Sequence, residues 1–418
     1  MQYLVFEDDK VSRIKPLVQF KPVYSLYTGF RTLDEKLEDA LAGKVRLTWH
    51  LRDYLAACYR EQHPERTVNL IEDEELFLIN GRMLCDDAAA DIILHAALDP
   101  FCALMQGDNL LFARLPGCRL PGMNDGRLPD LFDTSLLAET LRVEQAEGFR
   151  LLEHLWDVIA LHPEEMLRDA AAVETGFIEG DVHPSAVIVN RASIAIAPGA
   201  VVKAGAVLDA EDGFIIIGEG AVVEPQAVLM NNVFLSPWSR VKAGARVYSN
   251  VFLGMASKIG GEVEDSLIEP FANKQHDGFL GHSYISSWCN LGAGTNTSDL
   301  KNNYGSIRLH MEGRDVSTGL QFLGLLMGDH AKCSINSMFN TGTIVGAAAN
   351  VFGGGFPPKE VRPFTWGSAG GGFGPYRIDN AVETARKVME RRQVTMSSAY
   401  EAMFRFVADR EQGRQIFL

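Results

Sequence analysis

The stretch IGEGAVVEPQAVLMNNVFLSPWSRVKAGARVYSNVFLGMASKIG, Ile217–Gly260, decides the fold. It places an aliphatic residue at every sixth position: Ile217, Val223, Leu229, Leu235, Val241, Val247, Leu253 and Ile259. The fifth residue of most of these hexads is small, as at Ala221, Ala227, Ser239, Ala245 and Ser257. A period of six suits neither an amphipathic helix nor the alternation of a hairpin strand. It suits a parallel β-helix, in which three hexads make one triangular coil, the aliphatic side chains stack inward and each coil buries its faces against its neighbours. The small residue turns the corner. A β-sandwich would call for turn signals about every 8–12 residues instead.

Working outward, Val182, Ile188 and Ile194 carry the period towards the N-terminus and shift by two residues into Ile196, Val202 and Leu208. Met327, Cys333, Phe339, Val345 and Val351 restore it after an interruption. The interruption, Asn296 to Gln321, reads as a loop leaving the prism, and such loops tend to carry function. Residues 1–134 have a different grammar. QYLVFE, TVNLIE and LFLIN read as strands, and TLDEKLEDAL and WHLRDYLAACYREQHP as helices, so this is an α/β domain. Residues 135–175 read as a helical connector, with apolar spacing at Leu137, Leu141, Leu151, Leu152, Leu155 and Ile159. The β-helix takes 176–368. The remainder, 369–418, reads as loop and closing helices that cap the exposed end of the solenoid, and the Gly- and Pro-rich run FGGGFPPKEVRPFTWGSAGGGFGPYR, residues 352–377, reads as loop across that boundary.

Composition narrows the function. The 418 residues are 47% apolar and 22% charged, as in globular proteins, and the length points to more than one core. A net charge of −15 argues against a nucleic-acid surface, which needs clustered Lys and Arg. No apolar run approaches the roughly 18 residues of a membrane span, and MQYLVFEDDK reads as a first strand and not a signal peptide. The six scattered cysteines form no C-x-x-C pair and read as reduced thiols of a cytoplasmic protein.

The stretch NKQHDGFLGHSYISSWCNLGAGTNTSDLKNNYG, Asn273–Gly305, breaks the hexad pattern to present polar groups. Its His276, Leu280-Gly281 and NLGAGT (Asn290–Thr295) resemble the acetyltransferase half of the bifunctional family in which glucosamine-1-phosphate N-acetyltransferase is fused to N-acetylglucosamine-1-phosphate uridyltransferase. With GLQFLGLLMGDHAKCSINSMFNTGTIVG after it, the chain looks most like the divergent bacterial version. The hexads themselves resemble the left-handed β-helix of hexapeptide-repeat transferases, and the handedness is implied by that resemblance.

The resemblance implies roles. His276 would be the general base that takes the proton from the amino-sugar ammonium, a task that suits imidazole. Arg240, Lys242, Lys258 and Lys274 would meet the sugar phosphate, and Asn303-Tyr304 the sugar, across an insertion. A second family lysine falls at Glu264, and His282 stands where the family has an acidic residue, a place where it reads as packing. Gly292, Ala293, Gly294 and Thr295 would line the thioester of acetyl-CoA, with Lys332, Lys359 and Arg362 at the CoA phosphates. Acetyl-CoA as cosubstrate lying between subunits implies a homotrimer.

In the N-terminal domain the Gly-rich phosphate loop of standard uridyltransferases is absent. Pro16-Leu17, Lys21-Pro22-Val23 and Thr32-Leu33-Asp34-Glu35-Lys36 resemble the divergent version, with Tyr27 where an arginine is expected. This resemblance implies Lys15, Lys21 and Arg31 at the nucleotide, UTP, and Mg²⁺ for the transfer. Asp8, Asp9, Asp86 and Asp87 are the carboxylates near a strand end that such an ion would draw on. Two other readings stay open at this point: nucleotidyl transfer alone with the β-helix as trimerisation scaffold, or a non-catalytic scaffold or sugar-nucleotide sensor.

Overall fold

A computed structural model describes residues 1–122, 127–311 and 313–415, and divides them into two compact units. The first comprises Met1–Leu26, Arg31–Leu155 and Ser397–Phe406. Its centre is a seven-stranded mixed sheet. Gln2–Phe6 pairs in parallel with Leu47–Trp49 on one side and Glu75–Asn80 on the other, and Leu47–Trp49 pairs in parallel with Thr67–Val68. Beyond Glu75–Asn80 come Asn109–Pro116 and Cys102–Gln106, both antiparallel to their inner neighbours, and then Arg142–Gln145. Strand runs such as LVF and LFLI are apolar without alternation because both sheet faces are covered. One face buries Leu4, Phe6, Leu76, Leu78, Leu110 and Phe132 together.

The helices are α1 (Leu33–Leu41), α2 (Asp53–Gln62), α3 (Asp87–Leu94) and α4 (Thr134–Thr140). Helix α1 starts where it does because Thr32 and Glu35 form a reciprocal capping box. It stops at Ala42, which adopts the left-handed conformation. TVNLIE yields only Thr67–Val68 as strand. Asn69 turns left-handed there, and its amide both donates to and accepts from the Leu51 backbone.

The connector differs from its reading. Helix α4 ends at Thr140, and Arg142–Gln145 extends as the edge strand on Cys102–Gln106. Gly148, at φ +93°, then turns the chain so that Arg150–Leu151 pairs with Met83–Leu84. The helical spacing of its leucines is thus met by a strand, a turn and packing. Only α5 (Asp157–Ala160) and α6 (His162–Ala170) are helical beyond α4.

The second unit comprises Tyr27–Phe30, Trp156–Met396 and Val407–Leu418. Its body is a parallel β-helix of three sheets, of eleven, six and nine strands. Val222 pairs with Arg240, Val228 with Arg246 and Val233 with Val251, so one coil is eighteen residues, three hexads. All eight hexad residues from Ile217 to Ile259 are fully buried in one continuous core. The two-residue shift near Ile194 has a simple cause. The first strands of the nine-stranded sheet are three residues long and turn both ends inward, as Ile194 and Ile196, Ile215 and Ile217, and Val233 and Leu235 do.

One inward place breaks the chemistry of the stack. Lys274 is the register partner of Ile259, inside the prism, and only 2% exposed. Further on, the chain leaves the solenoid as the antiparallel hairpin Arg308–Met311 and Arg314–Ser317, then rejoins it, with Ile285 pairing Met327. On the outer side of the nine-stranded sheet Tyr27 packs 4.6 Å from Phe252 and Phe30 stacks 4.1 Å from Phe234.

The Gly- and Pro-rich run read as loop contributes Glu360–Val361 and Thr365–Ser368 to the last coil and a returning strand, Gly372–Pro375. Prolines and glycines fall between these short strands, where they obstruct no ladder. Helix α7 (Ile378–Glu390) and helix α8 (Ser398–Gln415) follow. Helix α7 runs along the side of the solenoid and not across its end. Tyr376, just before it, donates to the Phe364 carbonyl, while Arg392, just after it, donates to the Ala256 carbonyl (2.9 Å) and Asn273 Oδ1 (2.6 Å). Four strand steps of about 4.8 Å match a thirteen-residue helix of about 1.5 Å per residue. No helix among the described residues is long and apolar enough to cross a membrane.

Candidate functional site

In the solenoid, the corner that follows each strand of the eleven-stranded sheet carries in succession Glu224, Lys242, Gly260, Gln275-His276 and Gly292. His276 is exposed at this corner, two coils from Lys242, or about 10 Å along the stack. Its ring makes no hydrogen bond to a described residue. Its backbone is held from beneath, because Lys274 Nζ donates to the His276 carbonyl (2.6 Å) and the Gly260 carbonyl (3.0 Å). Burial pushes the Lys274 ammonium down to about 8. Lys274 was expected at the sugar phosphate, and its inward side chain corrects that. Side chains alternate along a strand, and Asn273, not Lys274, faces out.

Arg240, Lys242 and Lys258 are brought together as expected. Arg240 and Lys258 are register partners on successive coils. Glu224, which sequence reasoning missed, bonds both Arg240 (3.2 Å) and Lys242 (2.6 Å) through one carboxylate oxygen. Burial works against that carboxylate, but the bonds from Lys242 and Arg240 outweigh it and hold its pKa below the ordinary range.

The NLGAGT run has a structural demand of its own. A side chain on Gly292 would meet the Ser334 backbone at 2.4 Å, and Gly294 is at φ +73° with the Asn336 side chain where its Cβ would be. Thr295 Oγ1 donates back to the Gly292 carbonyl (2.7 Å), and Ala293 lies half-buried between the glycines. The next coil, therefore, uses the space that these small residues leave. Lys332 donates to the His330 carbonyl, and burial pushes its ammonium down to about 8. Lys359 lies against the hairpin at the Arg308 carbonyl, and Arg362 is exposed. Asn303 turns its side chain to the Gly305 amide, and Tyr304 is 68% exposed. This pair stands out on the excursion.

His282 is more than packing. It stacks on Phe322 with ring centroids 4.9 Å apart, Nδ1 lies 2.8 Å from Asp299 Oδ2, and Nε2 lies 3.6 Å from Asp265 Oδ2. Glu264, at the family lysine's place, joins the group, and its own pKa is raised by burial and by Asp299. A polar ladder leads there, since Asn232 donates to Asn250 (3.0 Å) and Asn250 to Asp265 (2.7 Å). Burial opposes charge on His282, but the bond to Asp299 and the charges of Asp265, Asp299 and Glu264 raise its pKa above the ordinary 6.5. A raised value means that the folded state binds the proton more tightly. The stability so gained is fully present below pH 6.5 and disappears as the pH climbs through the raised value. Urea unfolding is expected to show His282→Gln less stable than wild type by about 2 kcal/mol at pH 6, a gap that narrows by pH 9. A gap independent of pH would refute the ion-pair account.

In the first unit, polar residues gather at the carboxyl ends of the parallel strands, the edge where open α/β sheets bind ligands. Glu7 and Asp8 follow Gln2–Phe6, His50 and Arg52 follow Leu47–Trp49, and Asn80 and Arg82 end and follow Glu75–Asn80. Arg52 Nε lies 3.0 Å from Glu7 Oε2. Arg82 grips both oxygens of Asp8 (2.9 and 2.7 Å) and donates to Asn109 and to the Leu152 carbonyl. Arg82 and Asp8 are fully buried. His50 Nε2 contacts the Pro129 carbonyl at 2.7 Å, and burial lowers its pKa. Sequence reasoning missed Arg52, Arg82 and His50, although their spacing one to three residues past a strand was a usable signal.

The carboxylates expected at a magnesium ion fare differently. Asp8 is spent on Arg82. Asp86 Oδ1 accepts the Ala89 amide as the N-cap of α3, and Asp87 is exposed in the first turn of that helix. Asp9 is exposed and has its pKa raised by partial burial and by Asp8. Asp8 and Asp86 thus do not offer the free, converging oxygens that Mg²⁺ takes. Of the nucleotide cations, Arg31 pairs with Asp39 (2.5 Å), Lys15 is half-buried, and the Lys21 carbonyl accepts from Arg52.

Residues 3–177 match a family model described as sugar nucleotidyl transferase. Over 107 residues the chain is 30% identical to the bifunctional sugar-1-phosphate nucleotidylyltransferase/acetyltransferase of Sulfurisphaera tokodaii, covering 25% of this chain and 27% of that protein. Over 130 residues it is 28% identical to the bifunctional protein GlmU of Methanocaldococcus jannaschii, covering 31% and 26%. The chain thus spans about a quarter of the length of these curated relatives. Among solved structures, Francisella novicida UDP-N-acetylglucosamine acyltransferase aligns with 51% of this chain and 74% of its own at 19% identity and a TM-score of 0.31.

Proposed function

We propose, from the sugar nucleotidyl transferase family match of residues 3–177 and the exposed His276 on the β-helix, that the chain is a bifunctional transferase of sugar-nucleotide synthesis. The β-helix moves an acetyl group from acetyl-CoA to glucosamine-1-phosphate. The first unit joins N-acetylglucosamine-1-phosphate to UTP and releases pyrophosphate. The observation that carries the first activity is His276 itself: an unbonded imidazole, on a corner whose carbonyl Lys274 fixes, one coil from Lys258 and two from Arg240 and Lys242. In this reading the imidazole takes one proton from the ammonium, the freed amine attacks the thioester carbonyl, and the tetrahedral adduct collapses with loss of CoA thiolate, which takes up the second proton lost from nitrogen to leave as the thiol. Arg240, Lys242 and Lys258 meet the phosphate, and Asn303-Tyr304 the sugar. Acetyl-CoA lies along the solenoid past Gly292–Thr295 towards Lys332, Lys359 and Arg362, in a groove closed by a second copy in a cytoplasmic homotrimer. For the second activity this reading draws on the polar strand ends, where the Lys21 carbonyl accepts from Arg52, and assigns Lys15, Lys21 and Arg31 to the nucleotide. Of the carboxylates expected at magnesium, Asp8 and Asp86 are committed to Arg82 and to the Ala89 amide, which leaves the exposed Asp9 and Asp87 as the ones that would hold it.

A second reading draws on the strand-end pairs. Arg52 and Arg82 are neutralised by Glu7 and Asp8, which leaves fewer cations for a triphosphate and favours a first unit that binds sugar nucleotide without turning it over. One assay separates the readings. The purified protein is given acetyl-CoA and glucosamine-1-phosphate, with UTP and Mg²⁺ in a parallel tube. Acetylation in both tubes, with pyrophosphate in the second alone, is the expected result. Acetylation without pyrophosphate from a protein that still binds UDP-N-acetylglucosamine supports the second reading, and no acetylation overturns the β-helix assignment.

A further inference from the structure

The cations on the outer face of the eleven-stranded sheet do not end with the three nominated from sequence. Lys258 lies in register between Arg240 on the preceding coil and Asn273 on the next. Arg392, the second residue beyond α7, reaches the same row through its bonds to Asn273 Oδ1 and the Ala256 carbonyl. Arg391 beside it is exposed. The side chains of Lys258 and Arg391 make no hydrogen bond or ion pair among the described residues. Glu224 is bonded to Arg240 and Lys242, and not to the other three.

Cations at a helix C-terminus ordinarily serve its dipole, which accounts for Lys387 and for Arg391 alone. It does not account for Arg392, whose guanidinium turns to the coils, nor for Lys258, which belongs to the solenoid. Burial first, and then Arg392, Arg240, Lys242 and Arg391, depress the Lys258 pKa. Like charges held together at partial burial are unfavourable until an anion arrives.

We propose that Lys258, Arg391 and Arg392, backed by Arg240 and Lys242, form a binding site for a phosphate monoester where the end of α7 meets the solenoid. This rests on the acetyltransferase reading for its substrate, and makes α7 part of the substrate site. A dianion is the fitting charge, and guanidinium N–H groups beside an ammonium are its fitting donors. Two molecules of the proposed reaction carry that group: the sugar 1-phosphate and the 3′-phosphate of coenzyme A.

Calorimetric titration of the full chain with glucosamine-1-phosphate and, separately, with 3′,5′-ADP tests the site. The variants are Arg391→Gln, whose exposed side chain leaves the fold undisturbed, and Lys258→Gln. Each is expected to weaken one of the two ligands by about tenfold. The Michaelis constant of the corresponding substrate should rise in step, with that of the other within about twofold. A sugar-phosphate effect assigns the site to the sugar, and a 3′,5′-ADP effect assigns it to coenzyme A. The proposal is overturned if wild type binds neither ligand, or if both variants bind both ligands as wild type does. Acetylation with unchanged Michaelis constants would sink the site and spare the acetyltransferase reading. Phosphate binding lost in the variants of a protein that acetylates nothing would do the reverse.

Discussion

Replacing His276 by Ala is expected to lower kcat for acetyl transfer between about 10²- and 10⁴-fold, the range that general base catalysis contributes. The Michaelis constants should change little, since the ring is assigned a proton and not a binding contact. Stability should stay within about 0.5 kcal/mol of wild type, because the side chain is exposed and bonded to no described residue. That combination makes the variant informative. A histidine that merely holds the corner would show the opposite, a lower melting temperature with kcat largely kept. His276→Gln, which keeps bulk and hydrogen-bonding ability but no basicity, should lose as much kcat as Ala does. Uridylyl transfer measured on supplied N-acetylglucosamine-1-phosphate is the internal control, and it should survive both substitutions. Full acetylation by either variant would remove His276 from the mechanism.

The second large effect belongs to the first unit. Arg82→Met is expected to destabilise it by about 3–5 kcal/mol, because Asp8 would be left as a buried carboxylate without its partner. Asp8 and Arg82 are fully buried, and the guanidinium also serves Asn109 and the Leu152 carbonyl. The loss should appear as faster amide hydrogen exchange in Gln2–Phe6 and Glu75–Asn80, the two paired strands that carry the ion pair at their ends. Adding Asp8→Asn should recover part of it, since the charge then needs no partner. If the double variant is as unstable as the single one, the stabilisation lies in the Arg82 bonds to Asn109 and Leu152 and not in the ion pair. Should Arg82→Met instead leave stability untouched and abolish pyrophosphate release, Arg82 would be a ligand-binding cation.

How much of this was legible in the sequence varies with the physics. The hexads were plain because one inward residue per side of a triangular coil is a local rule, repeated against identical neighbours. The same rule explains why the connector was misread: leucines at helical spacing satisfy a helix face, but Gly148 in the left-handed region and an unpaired edge at Cys102–Gln106 made the strand the better use of Arg142–Gln145. The Gly- and Pro-rich tail was misread for the converse reason. Strands of two and four residues are too short to show alternation, and it is the preceding coil that makes Glu360–Val361 and Thr365–Ser368 extended.

The candidate site divides along the same line. Composition, the hexad period and the His276 motif were sufficient by themselves to give a β-helix after an α/β domain and to single out His276, because each depends on residues near in sequence. Only the tertiary structure decided that Lys274 points inward under His276, that Glu224 bonds both Arg240 and Lys242, that His282 sits among three carboxylates, and that Arg392 reaches Asn273. Apart from the bond of Lys274 to His276 two residues on, those are contacts between successive coils or across more than a hundred residues. Charge interactions fall off with distance in space and not in sequence, so the partner that fixes a group's charge is set by the stacking of coils, which no local pattern records.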